Sequence, residues 1–120
     1  MKPEGKRCAI IEDALEWQSQ IKSALTEGGH TVVARATNLQ AALDLVKNLK
    51  KLKVQVVTLD GNLTPDADNG NHGREVLQCI RATAPKVKVV GMSLDSMPRV
   101  DVDVGKQGIR TLAYEVSKLK

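Results

Sequence analysis

Residues 54–60 read V-Q-V-V-T-L-D, a run of β-branched and apolar residues that ends in an aspartate. Residues 7–13 read R-C-A-I-I-E-D, a second apolar run that ends in an acidic pair. Both runs are too short for a helix and have the length of a buried strand. If they are parallel strands of one sheet, their carboxyl ends meet at one edge. The side chains of Glu12, Asp13 and Asp60 would then lie close together.

The remaining sequence alternates strands with helices. Strands are predicted at residues 7–12, 30–36, 54–59, 87–92 and 100–104. Helices are predicted at residues 14–28, 39–49, 73–83 and 109–119. The Gly28-Gly29 pair is expected to end the first helix, and the T-N-L-Q run from Thr37 to open the second as a capping box. This order predicts an α/β fold, with a parallel sheet covered by helices on both faces.

Length and composition predict one domain over residues 1–120, with a core of aliphatic residues. The chain is 42% hydrophobic, has one Trp, one Tyr and no Phe, and carries a net charge of +4. Its densest basic run, residues 47–53, is typical of a solvated helix end, and no aromatic residues suggest a nucleic-acid surface. Cys8 and Cys79 are expected to be reduced and buried. Without a signal peptide or an apolar run of about 18 residues, a cytoplasmic protein without membrane contact is expected.

The predicted cluster of carboxylates suggests a metal site. Like charges at close range raise each other's pKa values, and a bound cation relieves this repulsion. Mg²⁺ prefers oxygen ligands of this kind. Ser93 and Lys106 follow the fourth and fifth strands, so they are expected at the same edge of the sheet, where ligands bind in such folds.

Each of these residues also has a plainer interpretation. Asp60-Gly61 is a common turn pair, and Glu12-Asp13 could simply place negative charge at a helix N-terminus. Ser93 could be a loop hydroxyl and Lys106 a surface lysine. The functional interpretation depends on all of them falling in order at one edge. Trp17 is expected to pack in the core, one turn past Asp13 and close to the same pocket.

At this point the chain resembles the receiver domain of bacterial two-component response regulators over nearly its whole length. The matching motifs are I-I-E-D at 10–13, L-D-G-N-L-T-P at 59–65, G-R-E-V-L at 73–77, V-V-G-M-S at 89–93 and V-G-K at 104–106. The resemblance implies a flavodoxin-like doubly wound sheet with strand order 2-1-3-4-5, of which this family is itself a standard example.

The resemblance also implies a role for each site residue. Asp60 would accept a phosphoryl group from a histidine kinase or a phosphotransfer protein. Mg²⁺ (or Mn²⁺) would be held by Asp13 and Asp60, with Glu12 in support and the backbone carbonyl of Asn62 as a further ligand. The phosphoryl oxygens would be bound by Lys106 and Ser93. Such a protein is a switch read by a downstream protein target, without direct nucleic-acid binding, and not an enzyme beyond its own phosphorylation and dephosphorylation.

The sequence departs from the family at several positions. Residues 93–106 leave little room for the usual fourth helix, which is expected to be shortened or missing. Asp103 stands where family members often carry an aromatic residue, Gln107 replaces the proline after the lysine, and Leu94 replaces a small residue. These departures support an alternative, a degenerate receiver that binds partners without phosphorylation. The D-A-D-N-G-N-H loop at 66–72 makes the connection after Asp60 unusually long; it does not fit a calcium-binding loop.

Two other function classes are disfavoured. A flavodoxin-like nucleotide or cofactor binder needs a phosphate cradle after the first strand, and Glu12-Asp13 at that position would repel phosphate. A phosphohydrolase needs a second catalytic carboxylate soon after the nucleophile, and none follows Asp60 closely.

Overall fold

A computed structural model describes residues 5–61, 63 and 71–120. It contains a parallel sheet of five strands in the order β2-β1-β3-β4-β5. The strands are β1 (Arg7–Ile11), β2 (Thr31–Ala36), β3 (Val56–Leu59), β4 (Lys88–Gly91) and β5 (Val102–Asp103). The predicted strand order and fold class are therefore confirmed.

Four α-helices connect and follow these strands. They are α1 (Leu15–Glu27), α2 (Leu39–Val46), α3 (Asn71–Thr83) and α4 (Leu112–Ser117), and a 3₁₀ segment, Lys106–Thr111, leads into α4. The predicted end of α1 is confirmed, because Gly29 has a φ of 93° and the backbone N–H of His30 donates to the Leu25 carbonyl. None of the helices in the described ranges is long and apolar enough to cross a bilayer.

Each face of the sheet carries its own core, because successive side chains of a strand point to opposite faces. On one face, Cys8 and Ile10 of β1 pack with apolar residues of α1 and α4. On the other face, Ala9 and Ile11 pack with apolar residues of α2 and α3. Burial on both faces explains why the strands read as continuous apolar runs.

The N-cap of the second helix lies one residue later than the capping-box prediction. Asn38 is the N-cap, and its Oδ1 accepts a hydrogen bond from the backbone N–H of Ala41 at 2.8 Å. The side chain of Gln40, predicted to complete the box from Thr37, instead donates to Asp44. The capping box is therefore wrong in position, because Asn38 is itself a strong N-cap residue.

Three further differences from the predictions are local. β5 has only two residues, and the last helix begins at Leu112 instead of residue 109, after the 3₁₀ segment. Cys8 is buried as predicted, and burial raises the pKa of its thiol to about 12. Cys79 is free but only half-buried, so its predicted burial is wrong in part.

The connection between β4 and β5 contains no helix in residues 92–101, all of which the structure describes. Met97 and Val100 pack against the core on the side of α2 and α3, where a helix would otherwise lie. Gly91 makes this approach possible, since a Cβ there would lie 3.2 Å from the Cβ of Met97 and 2.7 Å from Oδ1 of Asp103. The expectation that the helix between the fourth and fifth strands is shortened or missing is confirmed.

One carboxylate fastens this connection to the sheet. Oδ2 of Asp101 accepts a hydrogen bond from the backbone N–H of the fully buried Val89 at 2.7 Å. The same oxygen lies 3.0 Å from the guanidinium of Arg81 on α3. The Asp101 carboxylate therefore accepts the backbone N–H of β4 that a carbonyl of a longer neighbouring strand would otherwise accept.

Replacing this carboxylate should destabilise the fold. Asp101→Ala leaves the buried N–H of Val89 without its acceptor, which costs about 1–3 kcal/mol. Urea denaturation followed by circular dichroism measures the change. Asp95→Ala, on the same connection but exposed, is the control and should stay within about 0.5 kcal/mol of the wild type. Equal stability of the two variants would show that Asp101 does not hold the connection.

Candidate functional site

The carboxyl ends of β1 and β3 bring three carboxylates together. The backbone N–H of Asp60 donates to the Ile11 carbonyl at 3.0 Å, and that of Glu12 donates to the Ala36 carbonyl at 3.0 Å. Carboxylate oxygens of Glu12, Asp13 and Asp60 all lie within 4.8 Å of one another. We call these residues the acidic trio. Glu12 and Asp60 are buried and Asp13 is half-buried, so the trio opens to solvent on the side of Asp13.

Lys106 supplies positive charge to the acidic trio. Its ammonium lies 3.0 Å from Oε1 of Glu12 and 3.5 Å from Oδ2 of Asp60. The lysine is only 7% exposed. It follows Gly105, whose φ of 76° is in the left-handed region that favours glycine. The sharp turn at this glycine allows the chain to leave β5 and place the lysine side chain among the carboxylates.

The electrostatic state of Glu12 reflects this crowding. The pKa of its carboxyl group is raised to about 7; burial is the largest cause, and the nearby carboxylates of Asp60 and Asp13 act in the same direction. A hydrogen bond from the backbone N–H of Ala14 and the contact with Lys106 act in the opposite direction. The contact with Lys106 is an ion pair, since Oε1 accepts no hydrogen bond of good geometry from the described residues.

The donor set fits a hard divalent cation. All the converging ligand atoms are carboxylate oxygens, and Oε1 of Glu12 is a buried acceptor without a directed donor. Mg²⁺ is bound in proteins by one or two carboxylates together with water and phosphate oxygens. The half-exposed Asp13 leaves the trio accessible to such an ion. Asn62, predicted to add a backbone carbonyl, lies outside the described residues.

Ser93 lies at the same edge, two residues beyond β4, and is buried. Its backbone carbonyl accepts a hydrogen bond from the backbone N–H of Lys106 at 3.0 Å. A second link joins the same two loops, because the side-chain amide of Gln107 donates to the Leu94 carbonyl at 3.2 Å. The loops after β4 and β5 are therefore joined by two hydrogen bonds.

Asp103 and Leu94, two positions that depart from the family pattern, differ in their contacts and exposure. Oδ2 of Asp103 accepts a hydrogen bond from the backbone N–H of Met97 at 2.9 Å, so this side chain holds the connection between β4 and β5. Leu94 is 64% exposed, beside Ser93. The loop at 66–72 lies outside the described residues except for its last two, Asn71 and His72, which belong to α3.

Trp17 packs beside the site as well as in the core. It is partly buried against the core shared with α4. The ammonium of Lys106 lies 5.4 Å from the centroid of its ring. This distance is within the range of a cation–π interaction, so Trp17 borders the lysine that contacts both Glu12 and Asp60.

Gln18 is a site residue that the sequence interpretation missed. It is buried on α1, and its side-chain amide donates to the carbonyls of Glu12 at 3.0 Å and Ala36 at 2.9 Å. It thereby ties the ends of β1 and β2 together beneath the acidic trio. The signal was present, because Gln18 shares the buried face of α1 with Ile21 and Leu25 at helical spacing. A polar residue at such a position requires a partner.

Comparisons with known proteins place this geometry in a family. The sequence model of the response regulator receiver domain matches residues 8–112. The chemotaxis protein CheY of Listeria monocytogenes is 33% identical over 101 residues, which cover 84% of this chain and 78% of that protein.

Solved structures show the same fold. The response regulator domain of Thermotoga maritima CheB matches with a TM-score of 0.73 and 17% identity, over 97% of this chain and 96% of that chain. The response regulator RcsB of Salmonella typhimurium matches with a TM-score of 0.73 and 19% identity, over 94% of this chain but only 59% of the longer RcsB chain. Taken with the family match, these likenesses establish that the chain belongs to the response regulator receiver domain family.

Proposed function

We propose that this receiver domain is a switch operated by phosphorylation of Asp60. The observation that carries the proposal is the convergence of a buried Asp60 with Glu12, Asp13 and the ammonium of Lys106. A carboxylate nucleophile beside ligands for a divalent cation and beside a phosphate-binding lysine is the set that phosphoryl transfer needs.

The transfer forms one bond and breaks one. A carboxylate oxygen of Asp60 attacks the phosphorus of a phosphohistidine, the new O–P bond forms, and the P–N bond breaks. The imidazole nitrogen leaves with the electron pair of that bond. Mg²⁺ held by Asp13 and Asp60, with Glu12 in support, would neutralise charge on the phosphoryl group. Lys106 supplies a further positive charge to the phosphoryl oxygens.

Ser93 gives the switch its conformational readout. After transfer, its hydroxyl donates to a phosphoryl oxygen, which is a hydrogen bond that the unphosphorylated protein cannot make. The gain favours a second position of the loop after β4. Because the Ser93 carbonyl is bonded to Lys106, the loop after β5 moves with it. Asp103 occupies the position of the usual aromatic residue, so a rotation of an aromatic side chain cannot carry the conformational change. The change would instead pass through the hydrogen bond from the backbone N–H of Met97 to Asp103.

The proposal also specifies the partner proteins and the cellular compartment. The phosphoryl donor is a histidine kinase or a phosphotransfer protein, and a downstream protein reads the altered loops. Phosphorylation and loss of the phosphoryl group are self-catalysed, without turnover of a separate substrate. Donors of this type act in the cytoplasm, where we place the protein.

A second candidate is a receiver that binds partners without phosphorylation. The observation in its favour is the connection between β4 and β5, which lacks a helix and is fastened by Asp101 and Asp103. A connection held in this way has less freedom to take a second position. The two candidates differ in whether Asp60 is modified at all.

A phosphoryl analogue should change the fluorescence of Trp17, the only tryptophan of the chain. Mg²⁺ with beryllofluoride is expected to bind at Asp60 and draw Lys106 towards it, which alters the ammonium 5.4 Å from the ring. Asp60→Asn should abolish the change, whereas Asp44→Asn on the exposed face of α2 should preserve it. If the fluorescence of the wild-type protein does not change, or if Asp60→Asn responds like the wild type, the proposal is contradicted.

Phosphotransfer separates the two candidates directly. Incubation with phosphoramidate, a small donor with a P–N bond, should add one phosphoryl group in the presence of Mg²⁺, as intact mass spectrometry would show. Chelation of Mg²⁺ should prevent the addition. If the wild-type protein remains unmodified by phosphoramidate and by histidine kinases, the phosphorylation-independent candidate is correct.

Removal of Lys106 should make the fold depend more strongly on Mg²⁺. In Lys106→Ala the buried carboxylates lose their cation, and breaking a buried ion pair costs about 3–5 kcal/mol. A divalent cation can replace that charge and stabilise the native state by mass action. Thermal unfolding should therefore show a larger rise in Tm on adding Mg²⁺ than in the wild type or in the exposed control Lys22→Ala. An equal rise in all three proteins would mean that Lys106 does not neutralise the trio.

A further inference from the structure

A lysine-rich cavity lies at the opposite end of the sheet from Asp60. It has a volume of about 550 Å³ and lies beside the amino ends of β3 and β4. Its floor is apolar and includes the buried residues Val54, Val56, Ala84 and Val87. Small-molecule sites typically have a volume of about 300–1,000 Å³ and a mainly apolar lining with a few polar groups. The cavity therefore has the size and floor of a ligand site, away from the acidic trio.

Its rim concentrates the positive charge of the protein. Six lysines line the cavity: Lys6, Lys50, Lys53, Lys86, Lys88 and Lys120. The chain has 18 lysines and arginines against 14 acidic residues, so the 12 basic residues elsewhere are outnumbered by the acidic ones. Without the six lysines at this cavity, the formal net charge of the chain would not be positive.

These six lysines have no ion-pair partner among the residues that the structure describes. Most are exposed, so solvent and counterions screen their charge in the free protein. Like charges gathered around a concave surface attract and concentrate anions. The rim is suited to a ligand that carries several negative charges.

Two local features support a built site. Lys53 has a φ of 58° and ends the preceding helical turns, where the backbone N–H of Val54 donates to the Leu49 carbonyl at 3.0 Å; this fixes the backbone of Lys53 at the rim. The side-chain Oε1 of Gln55 accepts a hydrogen bond from the backbone N–H of Arg7 at 2.9 Å. This bond orients the side-chain amide of a cavity-lining residue, and its NH₂ group donates no hydrogen bond among the described residues.

We propose that this cavity binds a small organic polyphosphate of nucleoside diphosphate or triphosphate size. The lysines would bind the phosphates as point charges, and the organic part would lie on the aliphatic floor. The lining contains no aromatic residue, whereas surfaces for single-stranded nucleic acids stack bases on aromatic side chains. The concave shape and the missing aromatics favour a small ligand over a nucleic acid.

The test is a titration with a fluorescently labelled nucleoside triphosphate, read by polarisation. EDTA is present throughout, so that no divalent cation bridges the triphosphate to the acidic trio. The wild-type protein should bind at physiological ionic strength. Lys53→Glu with Lys86→Glu should weaken binding by at least about tenfold, because two positive charges at the rim become negative charges that repel the phosphates.

The control carries the same change of net charge outside the cavity. Lys22→Glu with Lys47→Glu, both exposed, should bind within about twofold of the wild type. Circular dichroism checks the fold of each variant, and Lys53→Gln with Lys86→Gln provides a milder pair if charge reversal disturbs it.

Four outcomes would overturn the proposal. These are no binding by the wild type, equal loss in the cavity variant and the control, equally good competition by inorganic tripolyphosphate, and tighter binding of single-stranded DNA than of the nucleotide. Better competition by unlabelled nucleotide than by tripolyphosphate supports it. The proposal does not depend on phosphorylation of Asp60, and Asp60→Asn should bind the nucleotide like the wild type.

Discussion

The mutual repulsion of three carboxylates is the constraint on which the functional end of this fold depends. Parallel strands deliver Glu12, Asp13 and Asp60 to one edge, where burial of Glu12 and Asp60 makes their charges costly. The ammonium of Lys106 offsets part of that cost in the free protein. A divalent cation bound there would relieve the same repulsion, so the crowding that costs stability is also the feature on which the proposed chemistry depends.

Several neighbouring contacts serve this arrangement. Gln18 holds the ends of β1 and β2 in place from below, and the backbone N–H of Ala14 fixes one oxygen of Glu12. The hydrogen bond from the backbone N–H of Lys106 to the Ser93 carbonyl fixes the position of the lysine backbone relative to the end of β4. The site is therefore positioned by the sheet edge, by α1 and by two loops at once. Preorganisation of this kind would lower the cost of aligning charged groups for the proposed phosphoryl transfer.

Much of the fold could be predicted from sequence, because its signals are local. Apolar runs of strand length, helical periodicity and glycine stops identify the elements, and acidic residues at two strand ends identify the edge where they meet. Contacts between distant segments could not be predicted. The hydrogen bond from the backbone N–H of Val89 to Asp101 depends on how β5 is shortened, and the exact cap of α2 depends on competition between Thr37 and Asn38. The lysines of the basic cavity come from four separate parts of the chain, so no single window of sequence contains them.

The shortness of β5 has a consequence for the protein's behaviour in solution. An outer strand normally offers a row of unpaired backbone groups to any other extended chain, and this invites association between sheets. Here that outer strand spans only Val102–Asp103. The sheet therefore presents almost no template for edge-to-edge pairing on this side, which favours resistance to aggregation at high concentration.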